Sequence, residues 1–328
     1  MKYRRLGKTG INVSAISIGT WQVGGKWGST FDNANADTIL NKAIDAGINF
    51  IDTADVYSDG ESEKAVGKII KSRSEKIYVA TKCGRQVQPH VSEGYQPAVL
   101  KKYVEDSLKR LQLDTIDLIQ LHCPPPAVYY RPEIFELFDT LKQEGKIQHL
   151  GVSVEKVEEA LKAIEYDNVT TVQIIFNMFR QRPAQLFFSE AKKKNIGIIV
   201  RVPLASGLLT GTFNNNTPFT TGDHRNFNRN GEAFDKGETF SGINYETGLA
   251  AVEELKKIFP QQTNLAPVAL QWILQFDAVS CIIPGASNAG QVDANLSALQ
   301  MPELTAAQLQ AVKEVYEKYI KKAVHHLW

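Results

Sequence analysis

Residues 49–70 read NFIDTADVYSDGESEKAVGKII and contain one complete strand–loop–helix unit. The apolar pair Phe50-Ile51 has the character of a short buried strand, and that strand ends at the carboxylate of Asp52. Ser58-Asp59-Gly60 is a turn sequence, and the periodic segment 61–70 after it predicts a helix. A buried strand followed by a polar loop and an amphipathic helix predicts one βα unit of an α/β fold.

The same unit recurs about eight times along the chain. Short apolar runs, such as 77–80 and 116–121, alternate with longer amphipathic runs, such as 100–111 and 134–144. The strands read as continuous apolar segments, as parallel strands covered on both faces do. A doubly wound sheet stays open as an alternative. Eight regular units within 328 residues favour a closed (β/α)8 TIM barrel.

Two segments lie outside these repeats. Residues 3–13 carry a Gly-Lys-Thr-Gly turn between short extended stretches, which predicts an N-terminal β-hairpin that plugs one end of the barrel. Residues 305–325 are amphipathic and begin with a capping residue, Thr305, which predicts extra C-terminal helices. The length also fits two domains of about 150 residues. Because no linker divides the chain, we predict a single domain over residues 1–328.

The bulk composition restricts the partners. With 43% hydrophobic residues, 22% charged residues and a net charge of +1, the chain has no basic face for nucleic acid or for an anionic membrane. It has no apolar run of about 18 residues and no apolar signal segment at its start. The three cysteines are widely spaced, which argues against disulfides and against a zinc site. We expect a cytoplasmic protein with no metal.

Titratable side chains stand at the ends of three predicted strands. Asp52, Lys82 and His122 each follow an apolar run, and Tyr57 lies in the loop after the first of them. Active sites of (β/α)8 barrels lie where the strands end, so these side chains are expected to converge. One such residue is commonly a turn or a cap, whereas an acid, a base and an imidazole on neighbouring strands indicate a catalytic group.

This set of side chains suits the reduction of a carbonyl group. A nearby Lys82 ammonium lowers the pKa of the Tyr57 phenol, and Asp52 can hold Lys82 in place by a salt bridge. Neutral His122 can donate a hydrogen bond to the carbonyl oxygen, and Tyr57 can then give that oxygen a proton. The hydride has to come from a cofactor, because no side chain carries one.

The chain resembles the aldo-keto reductase family, in a bacterial branch with IolS-like and potassium-channel β-subunit-like members. The motifs stand in family order between residues 5 and 300 and include LGKTGINVSAISIGTW, IYVATK, SLKRLQLDTIDLIQLH, GKIQHLGVS, VPLASGLLTG and IIPGASNAGQVDANL. The resemblance implies Asp52, Tyr57, Lys82 and His122 as catalytic residues, with Tyr57 as the proton donor. It implies an NAD(P)H-dependent oxidoreductase that reduces aldehydes or ketones, including sugar-derived carbonyls, to alcohols.

The cofactor side lacks the G-x-G-x-x-G sequence of a Rossmann domain. Segments 203–211 and 284–288 follow the seventh and eighth predicted strands, where barrels commonly bind phosphate. They can also be ordinary loop glycines and helix caps. The resemblance adds Ser153 and Gln173 at the nicotinamide carboxamide. The candidate cofactor contacts are Thr20, Trp21, Asp52, Ser153, Gln173, Arg201, Val202, Pro203, Leu204, Ser206, Gly207, Leu209, Gly211, Arg225, Pro284, Gly285, Ala286, Ser287, Gln291 and Asn295.

The resemblance implies NADP(H) as the cofactor, and the residues leave NAD(H) open. Gly285 and Gln291 stand where many members carry basic contacts to the 2′-phosphate, and residues 284–295 contain no Lys or Arg. Arg225 or Arg229 of the long polar loop can supply the missing charge if that loop covers the cofactor.

The substrate pocket for a small carbonyl compound is predicted from strand ends and loop aromatics. Two other functions stay open. One is a cofactor-binding regulatory or redox-sensing subunit with little turnover, and the other is a barrel hydrolase that uses Asp52 with Glu61 or Glu63. The sequence assigns no oligomeric state. The pocket candidates are Trp21, Trp27, Tyr57, His122 and Tyr129. For the two tryptophans and Tyr129, packing of the loop against helices explains the aromatic side chain equally well.

Overall fold

The computed structural model describes residues 1–25 and 30–328. Trp27, a predicted pocket residue, lies outside the described residues. Two short antiparallel strands, β1 (Tyr3–Arg5) and β2 (Asn12–Ser14), form the predicted hairpin. The Leu6 side chain beside it is fully buried, and the Lys8 N–H donates to the Asn195 carbonyl at 2.7 Å. The hairpin therefore closes the end of the barrel at which the strands begin.

Eight parallel strands form the barrel, and each pairs with its neighbours in the order of the chain. The first and last strands meet through parallel bridges, with the Ser17 N–H 2.8 Å from the Ile282 carbonyl and the Ile282 N–H 2.9 Å from the Ala15 carbonyl. This confirms the (β/α)8 fold. The strands are β3 (Ile18–Gly19), β4 (Phe50–Asp52), β5 (Tyr78–Cys83), β6 (Ile116–His122), β7 (Ile147–Ser153), β8 (Val169–Ile175), β9 (Gly197–Arg201) and β10 (Val279–Ile282).

Helices cover the outside of the barrel because each presents one apolar face to the sheet. In α1, the residues Ala36, Ile39, Leu40 and Ala43 are all fully buried. The helices are α1 (Asn33–Asp45), α2 (Glu61–Ser72), α3 (Pro97–Leu111), α4 (Pro132–Gln143), α5 (Val157–Ala163), α6 (Phe187–Lys193), α7 (His224–Phe227), α8 (Tyr245–Ile258), α9 (Ala266–Leu274), α10 (Ala289–Leu296), α11 (Ala306–Val315) and α12 (Lys321–Val324).

Side-chain caps decide where two of the helices begin. Helix α1 begins at Asn33 because the Asp32 side chain caps it by accepting the Asn35 N–H at 3.0 Å. Thr305 caps α11 as predicted, through a reciprocal pair of hydrogen bonds with Gln308. A π-helical turn, Tyr316–Ile320, joins α11 to α12. The predicted C-terminal helices are therefore present.

The long loop 206–244 is more ordered than its polar composition suggests. It contains α7, capped by Asp223, and the 3-10 turns Lys236–Glu238 and Phe240–Gly242. A further 3-10 turn, Ala205–Thr210, begins it directly after β9. Within the described part of the chain, no helix is long and apolar enough to cross a membrane.

Candidate active site

The carboxyl ends of β4, β5 and β6 bring three predicted residues together. Asp52 is the last residue of β4, Lys82 lies one residue before the end of β5, and His122 is the last residue of β6. Because the strands are parallel and in sequential order, these ends share one rim of the barrel. Tyr57 begins a short 3-10 turn five residues after Asp52, and its ring meets the His122 ring edge-on with centroids 6.1 Å apart.

Lys82 is the centre of this group. Its Nζ lies 2.5 Å from Asp52 Oδ1, donates to the Thr53 carbonyl at 2.8 Å, and lies 3.2 Å from the Tyr57 hydroxyl. The salt bridge expected between Asp52 and Lys82 is present, and both side chains are almost wholly buried. Three acceptors satisfy the three donors of an ammonium group. The ammonium is therefore fixed with one hydrogen directed at the phenol.

Two glutamines that face the barrel interior complete the surroundings of Asp52. Gln120 Nε2 donates to Asp52 Oδ2 at 3.0 Å, and Gln173 Nε2 donates to the same oxygen at 2.7 Å. Gln173 is a predicted cofactor contact, and here its amide also holds Asp52. Gln120 was missed in the sequence, although it lies two positions before His122 on β6 and so faces the same side of the strand.

The protonation states follow from burial and from these neighbours. Burial lowers the pKa of Lys82, but the charge and hydrogen bond of Asp52 outweigh it, and the net pKa is raised. Burial raises the pKa of Tyr57 more than the Lys82 ammonium lowers it. The net direction is thus opposite to the lowering expected from Lys82 alone. Burial, with the charges of Arg85 and Lys82, puts the pKa of His122 well below its usual value, so this imidazole is neutral.

A cleft of about 790 Å³ opens over this group. That volume lies in the range typical of cofactor and ligand sites. Tyr129 does not reach the cleft, since it is fully buried in the core. Five predicted cofactor contacts also do not line the cleft, namely Ser153, Leu209, Gly211, Ala286 and Ser287. Lys82 lies beneath the cleft. The predicted residues that line the cleft are Thr20, Trp21, Asp52, Tyr57, His122, Gln173, Arg201, Val202, Pro203, Leu204, Ser206, Gly207, Arg225, Pro284, Gly285, Gln291 and Asn295.

The segment that follows β10 leaves open space beside the cleft. A Cβ atom on Gly285 would meet only Gln22 Oε1 at 3.5 Å and the Gly19 carbonyl at 4.0 Å, so this glycine leaves open space beside the cleft. Asn288 caps α10 by accepting the Gln291 N–H at 3.1 Å, and the Gln291 side-chain oxygen accepts the Ser287 N–H at 2.8 Å just before the helix. The Asn295 amide donates to the Gly285 carbonyl at 3.2 Å. The side chains of this segment therefore leave the neighbouring part of the cleft open.

Arg225 lines the cleft, but a carboxylate already contacts its guanidinium. Its Nε and Nη2 donate to the two Asp223 oxygens at 2.9 and 2.6 Å, and its guanidinium lies 4.8 Å from the Phe219 ring centroid. Arg229 is exposed and stacks on Phe219 and Tyr245. Of these two arginines, only Arg225 is a cleft residue.

A buried cluster of opposite charges, absent from the sequence-based prediction, lies beside His122. Arg201 Nη2 is 2.9 Å from Glu155 Oε2, and Arg85 Nη1 donates to Glu238 Oε1 at 3.1 Å. Ligand atoms of Cys123, Glu155 and Glu238 lie within 4.8 Å of one another. Two guanidinium groups already neutralise these carboxylates. Burial raises the pKa of Glu155, whereas Arg85 and Arg201 lower the pKa of Glu238 despite its burial.

The two glutamates of the hydrolase alternative do not reach the cleft that Asp52 lines. Glu63 Oε2 accepts from Arg110 Nε at 2.6 Å, and Glu61 pairs with Lys64 at 2.6 Å. Neither glutamate lines the cleft. Residues that do line it without having been predicted include Arg85, Gln86 and Gln88, which follow Lys82 on the same loop. Their position after a strand end was the available signal.

An eight-stranded parallel barrel with an Asp–Tyr–Lys–His group at its carboxyl rim defines a class of barrel oxidoreductases. The chain belongs to the aldo/keto reductase family, whose model matches residues 15–317. It is 31% identical to the aldo-keto reductase YhdN of Bacillus subtilis over 99% of this chain and 96% of that protein. It is 29% identical to the NADH-specific methylglyoxal reductase of Escherichia coli, over 97% and 99%. The solved structure of glycerol dehydrogenase AKR11B4 from Gluconobacter oxydans superposes with a TM-score of 0.78 at 32% identity, covering 97% and 96%.

Proposed function

We propose that this protein reduces small aldehydes or ketones to alcohols with NAD(P)H, with Tyr57 as the proton donor. The observation that carries the proposal is the chain of contacts from Asp52 through Lys82 to Tyr57, at 2.5 and 3.2 Å, on the floor of a cleft that neutral His122 also lines. When bound, a reduced nicotinamide supplies the hydride.

The residues of this chain perform the remaining steps. His122 donates a hydrogen bond that orients the carbonyl oxygen. As hydride reaches the carbonyl carbon, the C=O π electrons move to the oxygen, and that oxygen takes the proton of the Tyr57 hydroxyl. The Lys82 ammonium stabilises the phenolate that remains, and Asp52 keeps that ammonium charged and in place. The products are the alcohol and the oxidised cofactor, and solvent returns the proton to Tyr57.

We infer that the substrate carries hydroxyl or further carbonyl groups. Beside the catalytic group the cleft is lined by polar side chains, namely Gln86, Gln88, Asp59 and the Arg85–Glu238 ion pair. An apolar substrate would strip water from these polar side chains without replacing its hydrogen bonds, whereas hydroxyl or carbonyl groups can replace them. Sugar-derived carbonyls fit this lining. Methylglyoxal and glycerol, the compounds in the names of two relatives, are small and polar in the same way.

For the cofactor, we propose NADP(H) with a weak preference over NAD(H). Residues 284–295 offer no cation to a 2′-phosphate, and Arg225, the cationic candidate on the loop, is shared with Asp223. A cation that already has an anionic partner gives less net attraction to a second one.

The test has two stages. NADPH and NADH are titrated separately against the protein, with tryptophan fluorescence as the signal, and cofactor oxidation is then followed with glyceraldehyde, methylglyoxal and 4-nitrobenzaldehyde. Binding with oxidation, faster for the two polar carbonyls, is expected. Failure to bind either cofactor would overturn the proposal, and binding without turnover would favour the regulatory-subunit alternative.

A further inference from the structure

Trp328 packs into the loop that borders the cleft, although it is distant from that loop in sequence. Its ring is 5% exposed, and its Nε1 donates to Asp235 Oδ1 at 2.9 Å. The Arg180 guanidinium lies over the ring, 4.2 Å from its centroid. A Cβ atom on Gly242 would lie 2.1 Å from the ring, so only glycine fits there. The indole therefore fixes residues 235–242, which we call the clasp segment.

The clasp segment contacts the cleft through Glu238. Besides the Arg85 hydrogen bond, Glu238 Oε2 lies 3.7 Å from Arg201 Nη1. Ser206 Oγ donates to the Glu238 carbonyl at 3.0 Å and accepts the Phe240 N–H at 3.1 Å. Ser206 itself lines the cleft, in the turn that follows β9. The clasp segment is thus joined to the cleft both by charge and by backbone contacts.

Strained backbone lies on both sides of this junction. In an L-residue a positive φ is uncommon, and for a β-branched residue it is an outlier. Such conformations persist where the surrounding contacts enforce them. Here Asn177 Nδ2 donates to both the Val202 carbonyl and Ser241 Oγ at 2.9 Å. The residues with positive φ are Val202, Ala205 and Ser206 on the cleft side and Phe240 and Ser241 on the clasp side, with values from 47° to 56°.

The contacts of Trp328 also form a closed circuit with the charged cluster. Arg180, which covers the indole, donates through Nη2 to the Glu155 carbonyl. The Glu155 carboxyl pairs with Arg201, and Arg201 faces Glu238 on the clasp segment. The indole N–H binds Asp235 at the other end of that segment. These contacts therefore connect the indole to Arg85 and Arg201, two of the arginines that line the cleft.

We propose that Trp328 is a positioning residue of the active site. It holds the clasp segment so that Glu238 keeps Arg85 and Arg201 in place at the cleft, and the Ser206 turn keeps the shape that a nicotinamide cofactor requires. The inference rests on the proposed function. Trp328 does not line the cleft and acts only through these neighbours.

The first test uses the cofactor-free protein. Amide hydrogen exchange is measured in Trp328→Phe and Trp328→Ala, where the N–H groups of Gly237, Thr239 and Gly242 report on the clasp segment. In Trp328→Ala these amides are expected to exchange at least tenfold faster than in the wild-type protein. Trp328→Phe is expected to be intermediate, because it keeps an aromatic ring but loses the indole N–H. Asp235→Ala removes the acceptor of the indole N–H, and because Asp235 also accepts the Gly237 N–H, only the Thr239 and Gly242 amides are compared in this variant. These two amides are expected to match those of Trp328→Phe, so the test does not depend on the Trp328→Ala variant folding.

The second test measures NADPH release by stopped flow. Trp328→Ala is expected to release the cofactor about tenfold faster, with partial recovery in Trp328→Phe. The matched control is Trp272→Phe, which alters an equally buried indole that stacks on Phe176 away from the cleft. Equal losses of thermal stability in the Trp328 and Trp272 variants, with wild-type exchange in residues 235–242 and wild-type release, would overturn the proposal. If the wild-type protein binds no cofactor, the proposed function fails, while the exchange experiment still decides whether Trp328 fixes the clasp segment.

Discussion

Lys82 Nζ lies 2.5 Å from Asp52 Oδ1 inside the barrel rim, and the two side chains are 1% and 2% exposed. Burial of two opposite charges is costly unless the geometry is good and the remaining polar atoms are satisfied. Here Gln120 and Gln173 bond the second oxygen of Asp52, and Thr53 and Tyr57 bond the ammonium. The pair is therefore held firmly beneath Tyr57, the proposed proton donor.

Replacing Lys82 with Met leaves the Asp52 carboxylate buried without its counter-charge. We expect the free energy of unfolding to fall by about 3–5 kcal/mol, which is typical of a broken buried pair. Urea unfolding followed by circular dichroism measures this change. The double variant Asp52→Asn/Lys82→Met is expected to lose less than the sum of the single variants, and strict additivity would show that the two charges are uncoupled.

Replacing Tyr57 with Phe removes the proposed proton donor and leaves the ring in place. We expect kcat to fall by about 10²–10⁴-fold, the usual contribution of general acid catalysis. The Kd of NADPH is expected to stay within about twofold, because the hydroxyl serves the chemical step and the ring is kept. Tyr130→Phe is the control, since Tyr130 is 69% exposed. Full turnover in Tyr57→Phe would identify another donor.

The pH profile of kcat/KM for reduction depends on two groups with opposite shifts. The pKa of His122 is well below its usual 6.5, so the imidazole is neutral both just below and above pH 6.5. The pKa of Tyr57 is raised above its usual 10.0, so the phenol keeps its proton through neutral and mildly alkaline pH. We therefore expect no inflection near pH 6.5 and a decline only in strongly alkaline solution. An acidic limb that disappears in His122→Asn would contradict the neutral state of His122.

Glu155 links stability to pH in the alkaline direction. Burial raises its pKa to about 8 from the usual 4.5, so the folded protein binds more protons than the unfolded chain between these values. Its contribution to stability is present at low pH and decreases as the pH rises through about 8. Glu155→Gln keeps the shape of the side chain and cannot ionise. Between pH 6 and pH 9 we expect the melting temperature of this variant to fall less than that of the wild-type protein, measured in buffers of equal ionic strength. An unchanged slope would show that Glu155 is ionised in the folded protein.

We propose Arg225, one of the arginines that line the cleft, as the contact of a 2′-phosphate. We expect Arg225→Ala to raise the Kd of NADPH by about tenfold while the Kd of NADH changes little, since loss of one charge-assisted contact costs about 1.5–3 kcal/mol at most. Asp223→Asn, which frees the guanidinium, is expected to tighten NADPH binding. Arg229→Ala is the control from the same loop. Equal shifts for both cofactors would place the 2′-phosphate away from Arg225.

The strand-end residues were predictable because they follow local rules. Asp52, Lys82 and His122 each end an apolar run, and parallel strands in sequential order share one rim. Tyr57 follows from the loop after the first of these strands. The same rules could also have identified Arg85 and Gln120 as residues of this site. The prediction of Tyr129 as a pocket residue was wrong. An aromatic residue in a loop has the same local pattern whether it borders a cleft or is buried in the core, and Tyr129 is buried in the core.

The sequence by itself determined the repeated βα units, the barrel and the meeting of Asp52, Lys82 and His122 at one rim, since apolar periodicity and strand ends are local features that a regular fold translates into position. Tertiary structure alone decided which loop residues reach the cleft, the pairing of Arg225 with Asp223, and the circuit from Trp328 through Glu238 to Arg201. These contacts join residues far apart in the chain and depend on how the long loop packs. Burial and neighbouring charges, which no local pattern records, then set the protonation of His122 and Glu155.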